Sequence, residues 1–251
     1  MSFQSQFTLS GKTILVTGAS SGIGREVAVQ CALGGATVLI TARNENRLND
    51  TLALLNGKLH KLFVCDLLKT EEIKKLCELL PVIDGVVHCA GVVKPYPIAF
   101  LTSEKVSETM SANFHSVVEL TTALFKSKKV NRGASMVFMS SISGQHPHKG
   151  GSMYAASKAA VEAFSKTVAL EYAQKGIRSN CISPAMVKTP MFDEAVAGMS
   201  TDSMNEHIAK YPLGVGFPID VANAVVFLLS PASRWITGIN LIMDGGLLLE
   251  Y

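Results

Sequence analysis

The chain has 251 residues, of which 48% are hydrophobic and 17% are charged, and its formal net charge is +3. This length suits one large α/β domain that buries a sheet. The small net charge does not support nucleic acid as a partner, and no apolar run approaches the roughly 18 residues that a membrane span needs.

The N-terminal residues and the cysteines indicate a cellular compartment. Residues 1–13 contain neither a basic segment nor an apolar stretch, so no secretory signal is predicted. The five cysteines are odd in number and form no C-x-x-C motif. Free thiols are therefore favoured over disulfides or a metal site, and we expect a cytoplasmic protein.

Short β-branched runs alternate with helical stretches along the chain. Such alternation predicts parallel strands joined by right-handed crossovers, and strands that are apolar on both faces suit a sheet covered on both sides. The sequence therefore predicts one α/β domain over residues 1–251. The predicted strands are Lys12–Thr17, Thr37–Thr41, Leu62–Cys65, Asp84–Cys89, Ser135–Met139, Ile177–Ile182 and Ile239–Met243. The predicted helices run from about Ile23 to Leu33, from Thr70 to Leu79, from near Ser103, from about Ser152 to Gln174, and over Val221–Leu229.

A glycine-rich turn joins the first predicted strand to the first helix. Its sequence is Thr17-Gly18-Ala19-Ser20-Ser21-Gly22-Ile23-Gly24. Glycines permit a tight turn and let backbone N–H groups approach a diphosphate at the positive end of a helix. A purely structural turn is the alternative, but the position directly after an N-terminal strand favours a dinucleotide.

The end of the second predicted strand bears on the choice of nicotinamide cofactor. A carboxylate at this place would bind the adenosine ribose hydroxyls and repel a 2′-phosphate. The chain has Ala42 and Arg43 there instead, and a guanidinium can bind a phosphate through two charge-assisted hydrogen bonds. We therefore expect NADPH; an ordinary surface arginine is the alternative.

Tyr154 and Lys158 lie four residues apart near the start of the long predicted helix, so they share one face. A tyrosine titrates near 10, too high for easy proton exchange at neutral pH. A cation about 4 Å away contributes roughly 4 kcal/mol at an effective dielectric of 20, on the order of three pKa units. We expect Lys158 to lower the pKa of Tyr154 and make the phenol a general acid or base. The pattern alone is common, and a solvated helix pair is the alternative.

Three serines follow the fifth predicted strand: Ser140, Ser141 and Ser143. A hydroxyl at the carboxyl end of a parallel strand points into the crevice where α/β sheets bind ligands. It can hydrogen-bond a substrate oxygen and the alkoxide that develops from it. Residue types alone do not choose among the three, and a structural serine-rich loop is the simpler interpretation.

These motifs occur in an order that resembles the short-chain dehydrogenase/reductase family. The resemblance extends from about Ser10 to Asp244-Gly245-Gly246, and its interval between serine and tyrosine selects Ser141. It implies a Rossmann-type doubly wound parallel sheet of about seven strands, flanked by helices, and an oxidoreductase that acts on a carbonyl or an alcohol. Within the family, the chain looks most like the 3-oxoacyl-(acyl-carrier-protein) reductases.

The resemblance also implies a set of site residues. Tyr154 would be the general acid for reduction, and Ser141 would polarise the carbonyl. Lys158 would also hold the nicotinamide ribose, and Asn113 would hold a water in a proton relay. Hydride would pass directly from NADPH. The implied cofactor-binding residues are Gly18, Ser20, Ser21, Gly22, Ile23, Gly24, Arg43, Asp66, Leu67, Cys89, Ala90, Gly91, Tyr154, Lys158, Pro184, Val187 and Thr189.

Two positions depart from the family pattern. Cys89 stands where the family has asparagine, which removes a side-chain hydrogen bond, and Ala185 stands where the family has glycine. A metal is not expected, because His146 and His148 have no third ligand close in sequence.

The segment from about residue 186 to 217 would form a lid over the substrate, as it does in the family. Its methionines and aromatic residues suit an adaptable apolar pocket, although ordinary core packing explains them equally well. We expect an apolar carbonyl or alcohol substrate, with a 3-oxoacyl thioester as one candidate. The lid residues concerned are Met186, Met191, Phe192, Met199, Met204, Tyr211 and Phe217. An acidic carrier protein would bind a basic cluster formed by Lys126, Lys128, Lys129 and Arg132. Such a cluster is more often an ordinary solvated surface.

The family resemblance implies a homotetramer. A small-residue surface on the long helix suits close packing between subunits; it comprises Ala155, Ala156, Ala159, Ala160 and Ala163. Two other functions stay open: an NADPH-binding sensor without catalysis, and a dehydratase or epimerase that recycles a bound cofactor. The intact Ser141, Tyr154 and Lys158 argue against the sensor.

Overall fold

A parallel sheet of seven strands forms the centre of the molecule. The computed structural model describes residues 6–196 and 200–250. The strands lie in the order β3-β2-β1-β4-β5-β6-β7, and every neighbouring pair is parallel. The predicted sheet is therefore confirmed. The strands are β1 (Thr13–Thr17), β2 (Thr37–Ala42), β3 (Lys61–Val64), β4 (Ile83–His88), β5 (Val130–Met139), β6 (Arg178–Pro184) and β7 (Asn240–Met243).

Helices cover both faces of this sheet. The α-helices are α1 (Gly22–Leu33), α2 (Glu45–Leu54), α3 (Thr70–Leu79), α4 (Ser103–Met110), α5 (Ser116–Lys126), α6 (Ser152–Tyr172), α7 (Pro190–Val196), α8 (Thr201–Ile208) and α9 (Pro218–Leu229). A π-helical turn (Ser111–His115) joins α4 to α5. Short 3₁₀ turns occur at Ile98–Phe100, Ile142–Gly144, Ala173–Lys175, Pro231–Ser233 and Leu247–Glu250.

Alternating side chains on each strand supply two separate apolar cores. Ile14 and Val16 of β1 face a core that contains residues of α1 and α9. Leu15 faces the opposite core, with residues of α3, α5 and α6. Because both faces of the sheet are covered, the central strands β1, β2 and β4 are buried along most of their length, as a parallel sheet requires.

The strand order fixes where a ligand can bind. The chain runs outward from β1 to β3, crosses back to β4 and then runs outward to β7. At such a reversal, the loops leaving β1 and β4 separate and open a crevice at the carboxyl edge of the sheet. The two glycine-containing loops predicted to bind the cofactor follow these two strands.

Three features differ from the sequence prediction. Helix α2 is not predicted, and the aperiodic lid segment contains the two short helices α7 and α8. Met199 of the predicted lid lies outside the described residues. Among the described helices, none is long and apolar enough to span a membrane.

Candidate active site

The turn between β1 and α1 packs so closely at Gly18 and Gly24 that no Cβ atom fits at either position. Gly18 has φ +63°, and a Cβ there would lie 2.8 Å from the backbone nitrogen of Ala90. A Cβ on Gly24 would lie 2.4 Å from the carbonyl oxygen of Gly18. The first turn of α1 carries no acidic residue, and the side chain of its N-cap, Ser21, makes no capping hydrogen bond. The turn therefore offers backbone N–H groups at a positive helix end, which suits a diphosphate.

The loop after β4 packs directly against this turn. Thr17 Oγ1 accepts hydrogen bonds from the backbone N–H groups of Cys89, at 3.1 Å, and Ala90, at 3.2 Å. Burial raises the pKa of the Cys89 thiol to about 12, so the thiol stays neutral. A Cβ on Gly91 would lie 3.1 Å from Asn113 Oδ1 and 3.6 Å from Lys158 Nζ. This loop thus connects the glycine turn to the predicted catalytic residues.

The ends of β2 and β3 lie side by side at the same edge of the sheet. The Cys65 backbone N–H donates to the Ala42 carbonyl at 3.0 Å, which brings Arg43 and Asp66 to adjacent strand ends. Arg43 is exposed, and no hydrogen bond or ion pair of the described residues uses its guanidinium. The Asp66 carboxylate accepts one hydrogen bond, from the Leu68 backbone at 3.1 Å.

Tyr154, Ser141 and Lys158 meet beneath these loops. The Tyr154 hydroxyl is buried and hydrogen-bonds the Ser141 side chain. Lys158 is 5% exposed, its Nζ lies 5.6 Å from the centre of the Tyr154 ring, and it donates to the Met139 carbonyl at 2.8 Å. The predicted constellation is therefore brought together at the carboxyl end of β5.

The predicted effect of Lys158 on Tyr154 is wrong for this arrangement. Burial raises the pKa of Tyr154 above its usual range, and the hydrogen bond with Ser141 opposes that rise. Burial also lowers the pKa of Lys158 to about 8. The Lys158 ammonium points to a backbone carbonyl rather than to the phenol oxygen, so desolvation dominates both groups.

Asn113 lies inside the π-helical turn, a feature that often marks a functional site in a helix. Its Oδ1 accepts from the Val92 backbone N–H at 2.7 Å, and its Nδ2 donates to the Val92 carbonyl at 2.9 Å. Nδ2 also lies 3.2 Å from Ser157 Oγ. The side chain is therefore occupied in fixing the loop after β4, and any role in a water relay falls to its backbone.

The segment after β6 closes the other side of the crevice. Pro184 ends β6, and the Thr189 hydroxyl donates to the Val187 carbonyl at 3.2 Å. A Cβ on Gly22 would lie 3.3 Å from Thr189 Cγ2. The predicted nicotinamide-binding segment therefore faces the glycine turn.

A third apolar cluster extends from this segment toward Ser141. Buried Tyr211, Val215 and Leu247 pack against the partly buried Ile142 and Met186, along with Ala185, Phe192 and Ile208. His148 lies near this end, with Nδ1 3.4 Å from Ser143 Oγ. In the described ranges, no three His, Cys, Asp or Glu side chains are grouped closely enough to hold a metal ion.

Sequence reasoning missed three residues that support the site. Thr17 joins the two cofactor loops, and its place at a strand end was the available signal. Arg25 donates to the Ser20 carbonyl at 2.7 Å and to Thr51 Oγ1 at 3.1 Å, which fixes the glycine turn from behind. Glu162 lies buried one turn beyond Lys158; its place four residues after Lys158, on the helix face that carries Tyr154, was its signal.

The basic cluster lies far from this site. Lys126 ends α5, Lys128 follows it, and Arg132 lies near the start of β5, whereas Ser141 follows the end of that strand. A strand rises about 3.3 Å per residue, so the ten residues of β5 separate the cluster from the crevice by most of the sheet. The cluster therefore gives no support for docking of a carrier protein at the site.

Known proteins match the chain along nearly its full length. Residues 18–248 match the sequence family described as enoyl-(acyl carrier protein) reductase. A tropinone reductase homolog of Arabidopsis thaliana is 34% identical over 97% of this chain and 94% of its own. A 3-oxoacyl-[acyl-carrier-protein] reductase of Rickettsia bellii is also 34% identical, over 96% of this chain and 98% of its own.

Solved structures agree with these sequence matches. A short-chain dehydrogenase/reductase from Mycobacterium ulcerans superposes with a TM-score of 0.89 at 29% identity, covering 96% of this chain and 91% of that one. A second protein of that description has a TM-score of 0.86 at 31% identity, covering 96% and 99%. With the sheet order, the glycine turn and the Ser141, Tyr154 and Lys158 cluster, these matches show that the chain is an oxidoreductase of the short-chain dehydrogenase/reductase family.

Proposed function

We propose that the protein is an NADPH-dependent carbonyl reductase. The observation that carries the proposal is the meeting of the Tyr154 hydroxyl with the Ser141 side chain, close to Lys158 and beside a glycine turn. A carbonyl oxygen placed against these two hydroxyls would receive a hydrogen bond from one and a proton from the other.

The cofactor proposal rests on the fit of the turn and of Arg43. Backbone N–H groups at the start of α1 suit a diphosphate, and the close backbone contacts at Gly18 and Gly24 keep the cradle free of side chains. Arg43 stands where a carboxylate would favour NADH, and its guanidinium is exposed and able to pair with a 2′-phosphate. When bound, NADPH supplies the hydride.

The chain's own groups would handle the proton. A raised pKa keeps the Tyr154 phenol protonated at neutral pH, which suits a general acid and therefore the reduction direction. Ser141 would hold the substrate oxygen and stabilise its developing charge. Lys158 would bind the ribose, and the π-helical turn at Asn113 would supply a backbone group for a proton relay.

We propose an apolar substrate. The third apolar cluster borders Ser141 through Ile142 and reaches the lid through Met186 and Phe192. The relatives described above are named as a tropinone reductase homolog and a 3-oxoacyl-[acyl-carrier-protein] reductase, and tropinone and 3-oxoacyl groups both contain a ketone. A 3-oxoacyl thioester is a candidate substrate, and a small ring ketone is another.

The assembly is proposed to be a homotetramer in the cytoplasm. The five free cysteines suit a reducing compartment. Of the small residues on α6, Ala156 and Ala163 are exposed, and Leu170 follows in the same stripe at 80% exposure. This stripe is suited to packing against another subunit.

The function is tested by Tyr154→Phe, which removes only the phenol oxygen. We expect NADPH consumption with apolar ketones to fall at least about a thousandfold, because the substrate oxygen loses its proton donor. NADPH affinity, measured by fluorescence titration, should stay within about twofold because the turn is untouched. Absorbance at 340 nm follows turnover.

Two results would count against this function. If the wild type binds NADPH and consumes none across a broad ketone panel, a sensor is favoured. If it transforms a substrate without net NADPH consumption, a dehydratase or epimerase is favoured. Turnover by Tyr154→Phe at the wild-type rate would remove Tyr154 from the mechanism.

The cofactor choice is tested by Arg43→Asp. The new carboxylate should repel the 2′-phosphate and accept the ribose hydroxyls of NADH. We expect the ratio of kcat/KM for NADPH to that for NADH to fall at least about a hundredfold. Arg47→Asp, on exposed α2, is the matched control. A variant at position 43 that still prefers NADPH would show that other groups hold the phosphate.

A further inference from the structure

A buried carboxylate lies on the helix that carries Tyr154 and Lys158. Glu162 is 6% exposed and follows Lys158 by one turn of α6, so the three side chains share one stripe. None of the ion pairs found in the described part of the chain involves it. A carboxylate buried without a cation is unfavourable unless donors surround it. The proposed mechanism assigns no role to the Glu162 carboxylate.

Donors from the catalytic loop surround the Glu162 carboxylate. Ser140 Oγ lies 2.9 Å from Oε1, and Gln145 Nε2 lies 3.0 Å from Oε2. Ser140 and Gln145 flank the short turn that Ser141 begins. The carboxylate therefore ties both ends of this turn to the helix that carries Tyr154, and Ser140 Oγ also lies 3.1 Å from the Lys158 carbonyl oxygen of that helix.

A third donor reaches the carboxylate from β6. Ser183 Oγ lies 3.3 Å from Glu162 Oε1 and 2.7 Å from Asn240 Oδ1, while Asn240 Nδ2 is buried without a partner among the described residues. One hydroxyl has one proton, so it cannot serve both oxygens well. With the Asn240 amide turned over, Nδ2 donates to Ser183, which frees the Ser183 proton for Glu162. Gln145 and Ser183 then donate to the carboxylate, while the single Ser140 proton is shared between the carboxylate and the Lys158 carbonyl oxygen.

The turn also packs on the helix without spare room. A Cβ on Gly144 would lie 2.9 Å from Glu162 Oε1 and 3.1 Å from the Ala159 backbone nitrogen. This close approach is independent of the hydrogen bonds. It shows that the turn of Ser141 is fitted against α6 at the level of Glu162.

We propose that Glu162 is a positioning residue, which holds the turn of Ser141 against α6 and so sets the Ser141 hydroxyl against that of Tyr154. The catalytic consequence rests on the proposed carbonyl reduction, whereas the structural consequence does not. Ser141 acts on charge that develops in the transition state, so loss of its placement should lower kcat and leave KM unchanged.

The test compares Glu162→Gln with Glu171→Gln, the same change at an exposed position of α6. A glutamine offers one acceptor oxygen and places an NH2 group where the second acceptor stood, so the hydrogen bonds that Ser140 and Gln145 give to the carboxylate must rearrange. The backbone amides of Gly144, Gln145 and His146 donate within the turn, and hydrogen exchange by mass spectrometry reports on them. We expect Glu162→Gln to speed their exchange and to lower kcat, each about tenfold, with NADPH affinity and KM unchanged. Glu171→Gln should change neither.

A second variant covers the case in which Glu162→Gln does not fold. Gln145→Ala removes a donor from an exposed residue and should give the same changes at smaller size. Faster exchange in a protein that reduces no ketone would keep the positioning role and reject carbonyl reduction. The proposal is overturned if hydrogen exchange is unchanged in a folded Glu162→Gln variant. If Glu162→Gln does not fold, unchanged exchange in Gln145→Ala overturns it instead. So does a lowered kcat that is accompanied by an equal loss of NADPH affinity.

Discussion

Burial, rather than charge pairing, sets the protonation of the two central residues. Lys158 and Tyr154 are both enclosed, so the neutral form of each is favoured: the pKa of Lys158 falls to about 8, and the pKa of Tyr154 rises. A protonated phenol next to a serine hydroxyl is arranged to give a proton. Within the described residues, the hydrogen bond of the Lys158 ammonium goes to the Met139 carbonyl at 2.8 Å and no carboxylate pairs with it, so burial makes its charge sensitive to pH.

This sensitivity predicts a pH-dependent contribution to stability. The unfolded chain keeps the Lys158 proton up to about pH 10.5, but the folded protein releases it near pH 8. In this window the unfolded state binds more protons, so the Lys158 contribution to the unfolding free energy rises with pH. Below pH 8 the cost of burying the ammonium is fully present.

The measurement is urea unfolding of the wild type and Lys158→Met at pH 7.5 and pH 9.5. The unfolding free energy of the wild type relative to the variant should rise by about 2 kcal/mol between these values. Buried thiols with raised pKa values destabilise both proteins as the pH rises, and the comparison of the two pH curves removes the part that does not depend on Lys158, such as that of Cys31. Parallel pH curves for the two proteins would contradict this account.

At the scale of the elements, the β1–α1 turn is the proposed cofactor-binding element. Substitution of Gly24 tests this proposal, because a Cβ atom has the least room there. A Cβ there would lie 2.4 Å from the Gly18 carbonyl oxygen, so Gly24→Ala must shift the backbone of the turn that is proposed to hold the diphosphate. We expect NADPH affinity to fall at least about tenfold, measured by fluorescence titration.

Gly11→Ala is the matched control. Gly11 has φ +75°, but a Cβ there meets nothing within 4 Å, so the cost is about 1–2 kcal/mol of backbone strain. NADPH affinity should not change. Wild-type affinity in Gly24→Ala would show that the turn tolerates displacement.

At the same scale, the elements show what the sequence was able to predict. Helix α3 was predicted with its observed bounds, and six strands within two residues, because apolar runs and glycine breaks are local signals. Strand β5 begins at Val130, five residues before its predicted start, because most of its first residues are polar or exposed. Helix α2 was missed although Asn44 caps it through a hydrogen bond to the Arg47 N–H, since only Leu48 and Thr51 of that helix are buried. The π-helical turn depends on bonds between Asn113 and Val92, from a distant loop, which no local pattern encodes.

The candidate site was predictable to a different extent. Ser141, Tyr154 and Lys158 were identified by spacing, and the structure brings them together. The protonation states of Tyr154 and Lys158 were not predictable from the sequence, because they follow from burial and from the direction of the Lys158 side chain. The roles of Thr17 and Glu162 also escaped notice, since both act through partners far along the chain.

For the molecule as a whole, the sheet brings chemistry from distant segments to a single edge. The loops after β1, β4, β5 and β6 all leave at the carboxyl end, and helices cover the faces. One outer surface of α6, the helix that carries Tyr154 and Lys158, is left as a stripe of small and apolar residues. A subunit packed there would restrain the helix that carries Tyr154 and Lys158. Loss of the tetramer is therefore expected to lower kcat.

Ala163→Arg tests that arrangement. Ala163 is exposed between Ala156 and Leu170, each seven residues away on the same face of α6. An arginine at a close helix crossing would bury an unpaired charge, at a cost on the order of several kcal/mol. We expect the wild type to sediment as a tetramer and Ala163→Arg as a smaller species with reduced kcat. Ala53→Arg, on exposed α2, should remain tetrameric. If Ala163→Arg sediments like the wild type, α6 does not form the interface.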